Sequence, residues 1–243
     1  MKIRSAITRL IRGSSLLLCL GTLLYLPAHA QGDLDGLVSR KFFYGPKAGV
    51  NYSTIINSAG STGILRLGYS GGGFGQYRIT DWLAASLEVQ YLQMGSNRHY
   101  GINFLESGYD AGSSLMSHFV NTPVLLHVYI PTGNGKLEPK VVLGGAFSYN
   151  WLTMQRSVNF ITSGGAVAIP ITSTYNRTGD FNPFDVAMLA GLGLDVPLQN
   201  MLITMDLRYR LGFFNTTDIV TQATLVEDNN VYSGLQFSVG VGF

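Results

Sequence analysis

The sequence predicts an all-β protein: a transmembrane antiparallel up-and-down β-barrel of eight strands, with short periplasmic turns and long extracellular loops. Three observations predict this fold. Apolar residues alternate with polar or small residues over many short segments, and the connections between these segments alternate between short and long. Only 12% of the residues are charged, yet no run long and apolar enough for a membrane helix follows Gln31.

Residues 1–30 have the features of a cleaved secretory signal peptide. Basic residues precede an apolar stretch at 16–26, and Ala28-His29-Ala30 supplies small residues before a cleavage point at Gln31. The apolar stretch is shorter than the ~20 residues of a membrane-spanning helix. We therefore expect an exported protein in which residues 31–243 form one outer-membrane β-barrel domain.

Removal of residues 1–30 changes the cysteine content and the net charge of the chain. The only cysteine, Cys19, lies within it, so the rest of the chain has no disulfide and no thiolate metal ligand or nucleophile. Four of the 16 basic residues and none of the 14 acidic residues are lost, which leaves 12 against 14 and a net charge of −2. Composition therefore gives no indication of nucleic-acid binding.

The alternation is clearest at the C-terminus, where apolar side chains occupy the odd positions from Leu235 to Phe243 and Gln, Ser or Gly occupy the even ones. Residues two apart in a strand share a face, so this segment has one apolar and one polar face. Similar alternation predicts seven further strands, with a bulge or bend at Gly71-Gly72-Gly73 in the second. Their ranges are 45–55, 66–79, 83–91, 118–130, 141–151, 185–196 and 203–213.

The predicted connections separate by length. The short ones are Thr80-Asp81, 131–138 and 197–200, and the long ones are 56–65, 95–115, 157–183 and 215–231. With the N-terminus on the periplasmic side, every short connection is periplasmic and every long one is external, as in outer-membrane barrels. A soluble β-sandwich has no reason to segregate its loops by length in this way.

The longest external connection has β-forming residues of its own. Residues around Ser163-Gly164-Gly165 predict a hairpin turn within 157–175. The strands on either side of this turn are then expected to project beyond the bilayer as a ribbon. A ten-stranded barrel is the alternative, if the hairpin is instead built into the wall.

Aromatic residues lie near both ends of the predicted strands. They are Phe42, Phe43, Tyr44, Tyr77 and Trp82 toward the periplasm, and Tyr69, Tyr91, Trp151 and Phe213 toward the outside. Aromatic rings favour the membrane–water boundary, and barrels carry one girdle at each interface. The placement therefore predicts two such girdles.

Nine charged residues fall at positions that face inward. They are Lys47, Arg78, Lys140, Arg208, Arg210, Glu88, Asp185, Asp195 and Asp206. Because buried charges are costly unless they are paired, this nearly balanced set predicts a structural network of ion pairs in the lumen. Inward glycines leave a narrow polar pore as the alternative, whereas a wide diffusion channel needs ~16 strands.

The sequence contains no catalytic, metal-binding or cofactor-binding motif, so we do not expect an enzyme or a cofactor. The glycine-rich run at 71–75 lacks the lysine and helix of a phosphate-binding loop. Ser117 and His118 are the best nucleophile–base pair on paper, but neighbours in a strand point to opposite faces. A lipid-modifying enzyme embedded in the barrel is accordingly the third alternative.

The chain resembles the PorT-like outer-membrane β-barrel family over most of 31–243. The matching segments are YGPKAGVNYS (Tyr44–Ser53), YRITDWLAASLEVQYLQMGS (Tyr77–Ser96), TPVLLHVYI (Thr122–Ile130) and MDLRYRLGF (Met205–Phe213). His127 stands near a position where the family tends to have Lys, which is a departure. The terminal Phe243, after an alternating strand, resembles the signal read by the outer-membrane insertion machinery.

The resemblance implies an outer-membrane barrel in contact with the bilayer and lipopolysaccharide. Some members of the family take part in protein secretion. We therefore expect a barrel that acts through binding or assembly surfaces, as an accessory of secretion or envelope assembly with an envelope or secretion protein as partner. The alternative is a stand-alone structural, ligand-binding or adhesion barrel with at most a narrow pore.

Overall fold

The computed structural model describes residues 41–56, 63–98, 109–131, 137–161, 169–198, 201–216 and 230–243. The predicted signal peptide and its cleavage point at Gln31 lie outside these residues and stay predictions. Within the described ranges, no helix is long and apolar enough to cross a membrane.

The described part consists of antiparallel strands and one short 3-10 turn at Thr178–Asp180. The strands are β1 (Phe42–Ile56), β2 (Ile64–Thr80), β3 (Leu83–Arg98), β4 (Tyr109–Tyr129), β5 (Glu138–Ile161), β6 (Ile169–Asn176), β7 (Phe184–Leu198), β8 (Met201–Gly212) and β9 (Val231–Gly242).

The sheet closes on itself as a ring of eight strands. Its order is β1-β2-β3-β4-β5-β7-β8-β9, and β9 pairs with β1 to complete the circle. At this seam the Phe243 N–H donates to the Tyr44 carbonyl at 2.9 Å, and the Tyr44 N–H donates to the Phe243 carbonyl at 3.3 Å. The predicted eight-stranded antiparallel barrel is confirmed.

β6 stands outside this ring. It pairs with the outer part of β5, from Met154 opposite Asn176 to Ile161 opposite Ile169, whereas β7 pairs with the part of β5 from Glu138 to Tyr149. The hairpin is therefore a ribbon above the wall, and the ten-stranded alternative is wrong. The predicted turn at Ser163–Gly165 lies outside the described residues.

Side chains alternate between the lumen and the outer surface. On β4, for example, Val124 and Leu126 are 60% and 50% exposed, while the intervening Leu125 and His127 are 0% and 1% exposed. A small barrel places its inward side chains against one another and its outward side chains against lipid. The exposed apolar residues on the membrane-spanning parts of the eight wall strands are therefore the lipid-facing surface.

The glycine triplet in β2 does not form the expected bulge. Gly71, Gly72 and Gly73 pair in unbroken register with both β1 and β3. The irregularities in the pairing of β2 with β3 lie elsewhere, between Leu65 and Ser70 and between Arg78 and Thr80. A Cβ added to Gly72 would meet the Gln90 Cα at 2.6 Å, whereas one added to Gly71 meets nothing within 4 Å. Glycine at 72 is thus explained by a close backbone approach and not by a bend.

Several strands extend into segments that the sequence assigns to loops. β3 continues to Arg98, β4 begins at Tyr109, and β5 continues to Ile161, so β4 and β5 have 21 and 24 residues. A transmembrane strand needs ~9–11 residues. The loop assignments at 95–115 and 157–183 are therefore wrong over much of their length, because the wall continues beyond the bilayer.

Candidate functional site in the lumen and on the outer face

The lumen holds a continuous chain of six charged side chains. Lys47 on β1 contacts Glu88 on β3 at 2.7 Å, and Glu88 also accepts from Arg208 on β8 at 3.0 Å. Lys47 further contacts Asp206 on β8. Because all four residues are at most 6% exposed, this part of the lumen is filled by paired charges.

The same chain continues through a second lysine. Lys140 on β5 lies 3.3 Å from Asp206 and 2.6 Å from Asp195 on β7. Asp206 therefore joins two lysines that lie on different strands, β1 and β5. The six residues contribute three cations and three anions, and they connect β1, β3, β5, β7 and β8.

Neutral groups complete the hydrogen bonding around Asp195 and Lys140. The Tyr129 hydroxyl donates to Asp195 at 2.7 Å, and Gln76 Nε2 donates to that hydroxyl at 2.8 Å. Lys140 Nζ also donates to Thr204 Oγ1 at 2.8 Å. These contacts supply the partners that buried ionised groups need in addition to the opposite charge.

Arg210 and Asp185 form a separate pair. Arg210 Nη2 donates to Asp185 at 2.6 Å and to Ser148 at 2.9 Å, and Nη1 donates to Asn121 at 3.1 Å. Both charged residues are 3% exposed. The pair lies nearer the outer end of the lumen, since Asp185 is the second residue of β7.

Arg78 lies at the other end of the barrel, two residues before the end of β2. Its Nη1 donates to Glu138 at 3.1 Å, and its guanidinium lies 4.5 Å from the centre of the Tyr129 ring. Glu138 is absent from the predicted charge set because the sequence places it at the end of a turn. Its spacing of two from Lys140 was the signal that could have identified it, since residues two apart share a face.

Ser117 and His118 do not form a pair, as their neighbouring positions on one strand predict. Ser117 is buried and shares a hydrogen bond of 2.7 Å with the Tyr232 hydroxyl, whereas His118 Nδ1 shares one of 2.6 Å with the Tyr91 hydroxyl. Ser117 and His118 thus have separate partners on opposite faces of β4.

A second combination, Ser86 with His127, escapes sequence reasoning because the two residues are on different strands. Ser86 Oγ and His127 Nε2 are 2.7 Å apart, but both side chains are buried and His127 Nδ1 has no hydrogen-bond partner among the described residues. A catalytic base is normally oriented by a third group and open to substrate. This contact therefore has the features of lumen packing.

The charged groups of the lumen give no indication of a metal-binding site. Within the ranges that the structure describes, no three His, Cys, Asp or Glu side chains come together as a metal site. The carboxylates there face lysine and arginine instead.

The predicted aromatic girdles lie largely on the outer surface. Eight of the nine aromatic residues are exposed, and Trp82 and Trp151 are 55% and 49% exposed at opposite ends of the wall. Phe43 is the exception, because it is 6% exposed and faces the lumen. Its assignment to the periplasmic girdle is wrong for a simple reason of register: Phe42 and Tyr44, its neighbours in β1, take the outward positions.

Comparison with known proteins gives a family and several similar folds. Residues 29–218 match the family described as outer membrane protein beta-barrel domain. No curated protein matches the chain.

Three solved structures illustrate the similarity in fold. Ail, the attachment invasion locus protein of Yersinia pestis, is 12% identical, with 84% of this chain and 100% of that chain covered and a TM-score of 0.38. Neisserial surface protein A (NspA) is 15% identical, with coverages of 83% and 97% and a TM-score of 0.43. OprG from Pseudomonas aeruginosa is 14% identical, with coverages of 83% and 92% and a TM-score of 0.38.

Proposed function

The chain belongs to the outer membrane protein β-barrel domain family, and from that premise we propose that it acts by binding a macromolecular partner at its outer end, not by conducting solutes. The protein is located in the outer membrane. The observation that carries the proposal is the projecting sheet of β4, β5 and β6, whose last strand pairs on one side only among the described residues.

The size of this sheet supports a role outside the bilayer. A strand of ~9–11 residues suffices to cross the membrane, so β4 and β5, at 21 and 24 residues, have about half their length to spare. Pairing continues through this excess, from Ser117 opposite Thr153 to Tyr109 opposite Phe160, with one register shift between Asp110 and Gly112. An ordered extension of this kind presents a fixed surface to the exterior.

The free edge of β6 indicates the kind of partner. Among the described residues, β6 pairs only with β5. The Arg177 N–H donates to Thr153 on β5, and N–H groups alternate in direction along a strand, so the N–H groups of Thr172 and Thr174 point away from β5. Such an edge can add a strand from another polypeptide through main-chain hydrogen bonds.

The side chains that fill the lumen argue against a wide channel. Eight strands enclose a space that side chains just fill, and the six-membered charge chain crosses it between β1, β5 and β8. We propose that these charges have a structural role. They hold the wall together from inside while the outer sheet contacts the partner.

Two forms of the function follow from this proposal. In the first, the barrel is an accessory of protein secretion or envelope assembly, and an envelope protein supplies the added strand. The PorT-like resemblance and the free strand edge support this form. In the second, it is a stand-alone binding or adhesion barrel whose outer sheet meets an external ligand.

The test removes one outward N–H from the edge. Thr174→Pro eliminates that donor, whereas Thr174→Ala keeps it, so the alanine variant is the matched control. The tagged wild type is extracted gently from outer-membrane fractions, and its stoichiometric partner is identified. We expect Thr174→Ala to retain this partner and Thr174→Pro to lose it.

The outcomes separate the two forms. A partner held equally by Thr174→Pro contradicts the β6 edge as the binding site. Recovery of the wild type alone, as a heat-modifiable monomer, contradicts the accessory form and directs the search to external ligands of the outer sheet.

A further inference from the structure

Arg66, near the start of β2, is a partly buried cation at the outer rim, and the described part of the chain gives it no acidic partner. Its Nη1 donates to the Leu115 carbonyl at 2.9 Å and its Nη2 to the Met116 sulfur at 3.1 Å. No salt bridge joins it to a carboxylate among the described residues. Every other described cation that is buried or partly buried has one, namely Lys47, Arg78, Lys140, Arg208 and Arg210.

The acceptors that Arg66 has are poor ones. Gln93 Nε2 donates to the same Met116 sulfur at 2.8 Å, so two strong donors converge on one thioether. A thioether is a weak acceptor, and a guanidinium carries five N–H donors, of which Arg66 uses two. The arrangement therefore offers several donors to an oxygen-rich group that approaches from outside.

Aromatic rings lie beside these donors on the same part of the wall. His118 on β4 is the register partner of Gln93 on β3. Its ring centre is 5.9 Å from that of Tyr91 and 5.7 Å from that of Trp151. The donors and rings thus form one contiguous surface across β2, β3, β4 and β5. We call it the rim cluster: Arg66, Tyr91, Gln93, His118 and Trp151.

The height of the rim cluster places it at the outer membrane–water boundary. Counted from Leu83, the ~9–11 residues of a transmembrane strand end at Tyr91 to Gln93. The acceptors of Arg66 on β4, Leu115 and Met116, pair with Ser96 and Gly95, which lie farther out along β3. The guanidinium consequently lies at the level of the lipid headgroups, where a charge is tolerated.

We propose that the rim cluster binds a phosphorylated lipid headgroup of the outer leaflet. The planar fork of Arg66 matches two phosphate oxygens, and Gln93 supplies a further donor. The rings of Tyr91, His118 and Trp151 cover the apolar side of the same lipid, as aromatic residues do at membrane interfaces. This site is separate from the β6 edge and does not depend on its partner.

Binding can be measured with the protein's own fluorescence. The chain has two tryptophans, so Trp82→Phe leaves Trp151 as the only reporter. The full barrel in detergent micelles is titrated with phosphorylated lipid A, with dephosphorylated lipid A and with inorganic phosphate. We expect a change in Trp151 emission with the phosphorylated lipid and none with the other two.

Variants in the same background test the assigned donors. Loss of a charge-assisted hydrogen bond should weaken binding about tenfold or more in Arg66→Gln. Arg66→Lys should bind with intermediate affinity, because it keeps the charge and loses the fork. Arg156→Gln is the control, since Arg156 is an exposed arginine of β5 outside the rim cluster, and it should bind as the parent does.

Heat modifiability on gels confirms folding of each variant first, and Gln93→Leu replaces Arg66→Gln if the latter does not fold. Unchanged affinity in Arg66→Gln, or in Gln93→Leu where it is used instead, overturns the proposal. Equal binding of dephosphorylated lipid A also overturns it. Arg66-dependent binding of inorganic phosphate as tight as that of lipid A overturns the assignment to a lipid.

Discussion

Asp206 contacts both lysines of the lumen, Lys47 and Lys140, and is 1% exposed. Without Asp206, the six lumen charges would be reduced to three cations and two anions. The part of the network around Lys47 and the part around Lys140 would no longer be connected. Removing one partner of a buried ion pair leaves an uncompensated charge, which is far more costly than losing an exposed pair. Asp206 is therefore the residue at which the lumen is most sensitive to substitution.

We predict that Asp206→Asn lowers the free energy of unfolding by about 3 kcal/mol. The measurement is equilibrium unfolding in urea with the barrel in detergent micelles, followed by loss of heat-modifiable mobility on gels. The matched control is Asp180→Asn, which breaks the exposed Arg177–Asp180 pair and should change stability by less than about 1 kcal/mol. Equal effects of the two variants would show that the lumen network has no special structural role.

Ser117 and His118 on β4 are the candidate nucleophile and base. Ser117 contacts Tyr232 and His118 contacts Tyr91, so we predict that the two do not act together as a nucleophile and base. Ser117→Ala combined with His118→Ala should leave the lipid A and phospholipid composition of the host's outer membrane unchanged, as measured by mass spectrometry of extracted lipids. A conversion present with the wild type and lost with the double variant would establish an enzyme.

At the scale of the strands, hydropathy predicts the membrane-spanning parts and misses the extensions. Between Leu83 and Tyr91 one face is lipid-exposed, so period-two alternation is strong there. Beyond the bilayer both faces of a strand meet water, and the alternation fades at Ser113 and Ser114 although both pair with β5. The missed portions of β3, β4 and β5 are thus the portions on which lipid imposes no pattern.

The ribbon of β5 and β6 should be dispensable for the barrel. Ser157 and Ser173 face each other across it, so residues 158–172 can be replaced by an Asn-Gly turn, which suits a two-residue hairpin. We predict that the shortened protein still inserts and remains heat-modifiable, because none of the six lumen charges lies in the deleted segment. It should also fail to retain the partner captured by the wild type. Loss of insertion would mean that the ribbon belongs to the folding unit.

At the scale of the whole molecule, the sequence predicts which residues face the lumen but not which of them meet. Strand periodicity is enough to identify Lys47 and Asp206 as inward. Their contact joins residues 159 apart in sequence, and it depends on barrel closure and on the stagger between β1 and β8. Arg66 was missed for a related reason, since its significance comes from having no carboxylate partner among the described residues, which only the folded wall reveals.

In the proposed orientation, the sheet of β4, β5 and β6 faces the exterior while the turn between β2 and β3 faces the periplasm. Residues 31–243 contain no cysteine, so single cysteines can report position. Thr172→Cys in β6 and Asp81→Cys in the turn are both exposed sites. Intact cells are treated with a polymer-linked maleimide too large to cross the outer membrane. We predict labelling of Thr172→Cys on intact cells and of Asp81→Cys only after the outer membrane is permeabilised. Labelling of Asp81→Cys on intact cells, or protection of Thr172→Cys, would contradict this orientation.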